Sequence, residues 1–280
     1  MALGRAMKKV LVVDSGKPCN RQTPHSHNFL TNDGRTPAEI STIAKFQVKN
    51  YKTVSFFEGK VIAAYRDKNG FIVKIESGEV YNTKKMVFAT GIKDILPPIQ
   101  GIDACWGISV IHCPYCHGYE VREEKTGIIG NGDLAFDFVR LISNWTNALT
   151  LFTNGPSTVD GAKSGILKNK GILIIEKKIR AIEHREGHIE YLLFEDGSRI
   201  FMKALYAPSP FEQHCNIPQQ IGCELTTEGY VKVDGAHETT VPGIYAIGDC
   251  SSKMRTVAGA VSSGTSCGIQ LSKKMILEEF

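Results

Sequence analysis

No run of about 18 apolar residues occurs in the 280-residue sequence, so no helix is expected to span a bilayer. The opening stretch MALGRAMKKVLVVDSG turns polar after only four strongly apolar residues, too few for a secretory signal. The protein is therefore read as cytoplasmic, with no membrane partner. Charge of one sign is scarce as well. With 33 Lys and Arg against 29 Asp and Glu, the formal charge is +4, and no basic arm gathers it, so no nucleic-acid partner is expected. Crowded cysteines are also missing. Eight lie scattered at 19, 105, 113, 116, 215, 223, 250 and 267, which excludes the dense disulfide framework of a small secreted scaffold.

What remains is a chain with 42% hydrophobic residues, long enough for two cores. Within it, HCPYCHGYE (His112 to Glu120) holds both a Cys-x-x-Cys pair and a C-x-x-C-H string. Haem attachment by that string usually follows export. A structural zinc needs four ligands, and no second Cys-x-x-Cys or His pair follows at a suitable spacing, although Cys105 or His112 remain candidates. A redox pair needs only Cys113 and Cys116 at a helix start, where the helix dipole stabilises a thiolate. That reading requires the fewest assumptions, and no metal ligand set is assigned. Cys19, Cys105, Cys215, Cys223 and Cys267 are read as small packing or surface residues.

Past the pair comes KTGIIGNGDLAFDFVRLISNW: an apolar strand, a glycine turn, and a helix with Ala135, Phe138, Val139 and Ile142 on one face. This is a G-x-G-x-x-A dinucleotide fingerprint. Gly130 permits the turn, Gly132 lets a pyrophosphate approach backbone N–H groups, and Ala135 lets the helix pack closely on the strand.

The chain also repeats itself. The segments from Val61 and from Lys178 share one plan of strand, glycine turn, strand, glycine turn, strand, basic residue and buried strand. Gly70 corresponds to Gly187, Gly78 to Gly197 and Lys85 to Lys203. Two related domains are implied. The second copy opens on a glycine loop, so the first should too. Yet the interval from Gly130 to Asn154, counted back from Asp14, runs past Met1. VLVVD (Val10 to Asp14) then stands as the second strand of its unit, and ALGRAMKK as the tail of the helix before it.

In order, a carboxylate ending a strand (Asp14), an Ala89-Thr90-Gly91 triplet, the Cys pair, the glycine loop, GIYAIGDC and RTVAGA resemble the low-molecular-weight thioredoxin reductase family of flavoproteins. The resemblance implies an α/β fold of two doubly wound Rossmann-like domains with small antiparallel additions. The FAD domain would be discontinuous, taking 1–98 and 211–280 and lacking its first strand and glycine loop. A pyridine-nucleotide-type domain, 99–210, would carry the Cys pair, with LPPIQG and APSPFEQH as linkers. Gly248 and Asp249 would hold the FAD ribityl and phosphate region, and Arg255, Thr256 and Val257 would approach the flavin ring. Cys116 would exchange electrons with the flavin and Cys113 with an outside disulfide, on a thioredoxin-like protein or a small molecule. His117 stands where family members carry an acid, and its ordinary pKa of about 6.5 suits proton exchange with a thiolate. A homodimer is also implied.

One part of the pattern is missing. NADPH-using members place an arginine cluster after the strand that follows the glycine loop, to grip the 2′-phosphate. Here that stretch is TNGPST, Thr153 to Thr158, without arginine or a ribose-binding carboxylate. NADP or NAD use is therefore doubtful, and two alternatives follow: an FAD-dependent small-molecule dithiol oxidase using oxygen, or a non-catalytic protein unable to hold FAD.

Overall fold

A computed structural model describes residues 1–280, which form two compact units. Unit 1 takes residues 1–21, 29–93 and 211–280; unit 2 takes 22–28 and 94–210.

In unit 1 the chain starts with α1 (Ala2–Arg5) and β1 (Val10–Asp14), followed by α2 (Pro37–Lys49) and β2 (Val54–Glu58). A capping box starts α2: the Thr36 hydroxyl accepts from the Glu39 N–H while the Glu39 carboxylate accepts from the Thr36 N–H. Next come β3 (Val61–Asp67), β4 (Gly70–Ile75) and β5 (Val80–Thr83), an antiparallel three-stranded sheet, then β6 (Met86–Phe88) and β7 (Ile92–Asp94).

Unit 2 contributes α3 (Ile102–Cys105), β8 (Val110–Ile111), α4 (Pro114–His117), β9 (Thr126–Ile129), α5 (Gly132–Ile142), β10 (Leu149–Phe152), α6 (Gly161–Asn169) and β11 (Leu173–Ile175). An antiparallel sheet of β12 (Ile179–Arg185), β13 (His188–Phe194) and β14 (Arg199–Phe201) precedes β15 (Ala204–Tyr206). The parallel sheet has order β11-β10-β9-β15-β8. Its glycine-loop strand β9 is central, so both faces are covered and every β10 residue is buried. Helix α5 buries Ala135, Phe136, Val139 and Ile142. Phe136 takes the place expected for Phe138, which is half-buried and meets the Tyr206 ring edge-on at 5.7 Å.

The chain returns to unit 1 through β16 (Phe211–Gln213), which pairs with β7, then α7 (Ile217–Gln220), β17 (Ile244–Ala246) and α8 (Val257–Glu279). Here the parallel strands fall into two separate pairs, β1 with β2 and β6 with β17. The repeat explains the division. Strands β3 to β6 follow the same plan as β12 to β15, so β6 corresponds to β15 and β1 to β10. In unit 2 the strand joining those two positions is β9; in unit 1 that position holds no strand. Strand β1 accordingly has no fully buried residue. Helix α1 packs on α8 so closely that a Cβ on Gly268 would lie 2.7 Å from the Ala2 Cβ.

Residues 22–28 and 94–98, expected in the FAD-type domain, group instead with unit 2. Tertiary contacts decide this: the Gln22 amide donates to the Asp103 carbonyl (3.3 Å), and a Cβ on Gly107 would lie 3.0 Å from the Thr23 hydroxyl. No helix is long and apolar enough to cross a membrane.

Candidate functional site

Strand β8 pairs with β15, setting Ile111 beside Tyr206, and the chain then turns into α4. Pro114 starts this single turn with its φ already helical and no N–H to lose. Cys113 is the N-cap and Cys116 lies one turn on, its N–H donating to the Cys113 carbonyl at 3.3 Å. Both thiols are half-buried. Gly118 closes the turn: a Cβ there would collide with the Pro114 carbonyl and lie 3.0 Å from the Trp145 indole nitrogen. Trp145 also meets the Tyr115 ring edge-on.

His117 is half-buried at the end of this turn. Burial lowers its pKa, the Glu120 carboxylate raises it, and His27 lowers it again. With burial the largest influence, the imidazole is neutral near pH 7 and ready to accept a proton. Below the pair lies Tyr206, 1% exposed, its hydroxyl buried without a hydrogen-bond partner. Burial pushes its pKa up, and the charges of Cys113, Glu120 and Cys116 push the same way. The phenol therefore stays protonated beneath the turn that carries Cys113 and Cys116.

The glycine loop of unit 2 is built as a dinucleotide loop and then closed. A Cβ on Gly130 would sit 3.1 Å from the Ala135 Cβ, so the glycine permits close loop–helix packing. Gly132, at φ +67, opens α5. But the Asn131 carboxamide oxygen accepts from the Gly132 N–H (2.9 Å), the Thr158 N–H (2.7 Å) and the Thr158 hydroxyl (3.1 Å), and its nitrogen donates to the Pro156 carbonyl (2.8 Å). Lys163, which could have met a phosphate, pairs with Asp133 at 2.7 Å. No arginine stands in residues 153–158. These residues do not fit a 2′-phosphorylated dinucleotide.

In unit 1 the other expected residues lie at strand ends, where α/β sheets bind ligands. Asp14 ends β1. Its carboxylate accepts from Lys45 (2.7 Å) and the Gly16 N–H (2.9 Å), and these hold it below the usual carboxylate range. Ala89, Thr90 and Gly91 follow β6, and Gly248 and Asp249 follow its partner β17, so the two segments leave adjacent parallel strands. The Thr90 hydroxyl is buried without a hydrogen-bond partner, and open space surrounds Gly91 at φ +65. The Gly248 N–H donates to the Ser263 hydroxyl at 3.0 Å. Arg255 precedes α8, Thr256 caps it by accepting from the Gly259 N–H (2.9 Å), and Val257 is its first residue. A buried threonine hydroxyl and an open glycine after β6, beside the segment that leaves the adjacent parallel strand β17, fit a flavin dinucleotide.

Two units, one with a glycine-loop sheet carrying a Cys-x-x-Cys turn and one with strand ends suited to a dinucleotide, define a nucleotide-dependent disulfide oxidoreductase. The chain matches the pyridine nucleotide-disulphide oxidoreductase family over residues 1–264 and belongs to it. It is 28% identical to the thioredoxin reductase tcpT of Claviceps purpurea, over 99% of this chain and 90% of that protein. It is 29% identical to the thioredoxin reductase sirT of Leptosphaeria maculans, over 96% and 87%. Among solved structures it resembles a putative thioredoxin reductase, TrxB, from Bacillus anthracis, with a TM-score of 0.95, 28% identity and coverage of 100% and 94%. An oxidoreductase from Agrobacterium tumefaciens gives 0.90, 33% identity, 99% and 92%. The protein is thus a thioredoxin reductase-like oxidoreductase, and FAD is the cofactor its family implies, with NADPH the usual partner cofactor. Neither alternative, the oxygen-using dithiol oxidase or the non-catalytic protein, is favoured by these relatives.

Sequence reasoning missed His27, Glu120, Tyr206 and the closing role of Asn131. The middle position of the G-x-G was a usable signal for Asn131. Nothing local marked the other three.

Proposed function

We propose that Cys113 and Cys116 form a reversible disulfide that exchanges electrons between FAD and an outside disulfide, on a thioredoxin-like protein or a small molecule. The observation that carries this reading is the placement of both half-buried thiols in one helical turn started by Pro114, beside a neutral imidazole and a buried phenol. FAD, when bound, supplies or accepts the electron pair. Cys113, as thiolate, attacks one sulfur of the outside disulfide, releasing the other as a thiolate and leaving a mixed disulfide. Cys116 then attacks Cys113, closing the internal disulfide and releasing the reduced partner. His117 accepts the proton of the attacking thiol, which its lowered pKa supports near pH 7.

The closed dinucleotide loop supports a second direction for the same chemistry, oxidation of a small dithiol with oxygen as final acceptor. Thiol titration before and after mild reduction tests the pair itself. A gain of about two thiols, lost in Cys113→Ser, is expected. No gain, or stoichiometric zinc that blocks it, would overturn the reading. NADPH oxidation with a thioredoxin, against oxygen uptake with dithiothreitol, then separates the two directions.

A further inference from the structure

The segment 22–28 comes from a distant part of the sequence, yet it docks on unit 2. Gln22 is bonded to the Asp103 carbonyl, Thr23 lies against Gly107, and Ser26 is buried. The segment ends at the redox turn, with the His27 Nε2 3.5 Å from a Glu120 carboxylate oxygen. Glu120 is three residues beyond His117 in an exposed turn, so nothing in regular secondary structure fixes its side chain. A single contact of 3.5 Å between a half-buried imidazole and an exposed carboxylate contributes little to stability, so holding the fold together is a poor explanation for it.

We propose that His27 is a positioning residue: through its 3.5 Å contact it holds the Glu120 carboxylate beside the redox turn, within reach of the proton that His117 carries. The inference rests on the reading of Cys113 and Cys116 as a redox pair only for the use made of that proton. The charged and titratable groups around His117 are Glu120 and His27, Cys113 and Cys116 of its own turn, His112 before them, His25 with its ring 6.4 Å from that of His27, and Tyr206 of β15.

His27 acts on His117 in two opposed ways, which makes the idea decidable. As a charge, it repels the imidazolium and lowers the His117 pKa. As a holder of Glu120, it keeps close the carboxylate that raises that pKa. Removing it therefore gives opposite signs: His117 titrates higher if His27 is only a charge and lower if His27 positions Glu120.

The test is nuclear magnetic resonance titration of the His117 ring in the fully reduced protein, for wild type, His27→Gln, Glu120→Gln and the double variant. Expected is a downward shift of about half a pH unit in His27→Gln, the same direction as in Glu120→Gln. The double variant should shift no further than Glu120→Gln, because both changes remove one interaction. An upward shift in His27→Gln, or full additivity, overturns the proposal. Glu120→Gln leaves His27 and its loop intact, so it still reads the carboxylate's effect should His27→Gln fold poorly; no shift there also overturns it. The titration requires no turnover, so a failure of the redox reading shows up separately, in the thiol count.

Discussion

NADP(H) binds this protein weakly if the Asn131 closure and the missing arginines are its main features, and the size of the effect follows from the loop. A dinucleotide phosphate approaching the start of α5 must first displace the Asn131 oxygen from the Gly132 N–H. Replacing that exposed bond costs about 0.5–1.5 kcal/mol. The 2′-phosphate then finds Thr153 to Thr158 without a guanidinium, and each missing charge-assisted hydrogen bond forgoes about 1.5–3 kcal/mol. Lys163 is held by Asp133 and offers only a point charge in any case. Pro156 and Thr158 are exposed positions facing this loop. Installing Pro156→Arg and Thr158→Arg together should recover at least about 2 kcal/mol, roughly 30-fold in affinity. Calorimetry with NADP+ measures this directly and requires no flavin, and rapid-mixing reduction of FAD-reconstituted protein by NADPH provides a second readout. Micromolar NADP+ binding by the wild type, or no gain in the double variant, would refute the reasoning.

Two further outcomes are expected. A form extended upstream by an apolar strand, a G-x-G-x-x-G turn and a helix should fill the position between β1 and β6 and retain more FAD through gel filtration. It should also melt higher with FAD than without, and equal flavin content in both forms would count against the gap as a flavin determinant. Tyr206→Phe removes a buried hydroxyl that has no partner while keeping the ring against Phe138. Thermal melts of the reduced protein should show stability unchanged or raised by about 1 kcal/mol, and a clear loss would mean the hydroxyl is satisfied in solution.

The elements legible in the sequence were those whose signals are local. Strand alternation and glycine turns revealed the repeat of β3 to β6 in β12 to β15, and the strand, Gly130-x-Gly132 turn and apolar helix face revealed β9 and α5. The helix start at the Cys113–Cys116 pair was expected too, and Pro114 at its first position is the local reason it forms there. Even there one residue of the α5 face differed, since Phe136 is buried and Phe138 only half-buried against the same core, while Ala135, Val139 and Ile142 are buried as expected: at the edge of a helix face only the neighbours settle burial.

Which residues meet across the chain was decided by tertiary structure alone. Residues 22–28 group with unit 2 because Gln22, Thr23 and His27 find partners at Asp103, Gly107 and Glu120, long-range contacts with no periodic trace. The same holds for Tyr206, whose strand looks like any buried strand until its register with Ile111 sets it beneath Cys113. Asn131 stood in plain view inside a dinucleotide fingerprint. Its side chain became a latch only when the 156–158 loop folded back onto it, because a hydrogen bond depends on the position of the acceptor as well as the identity of the donor.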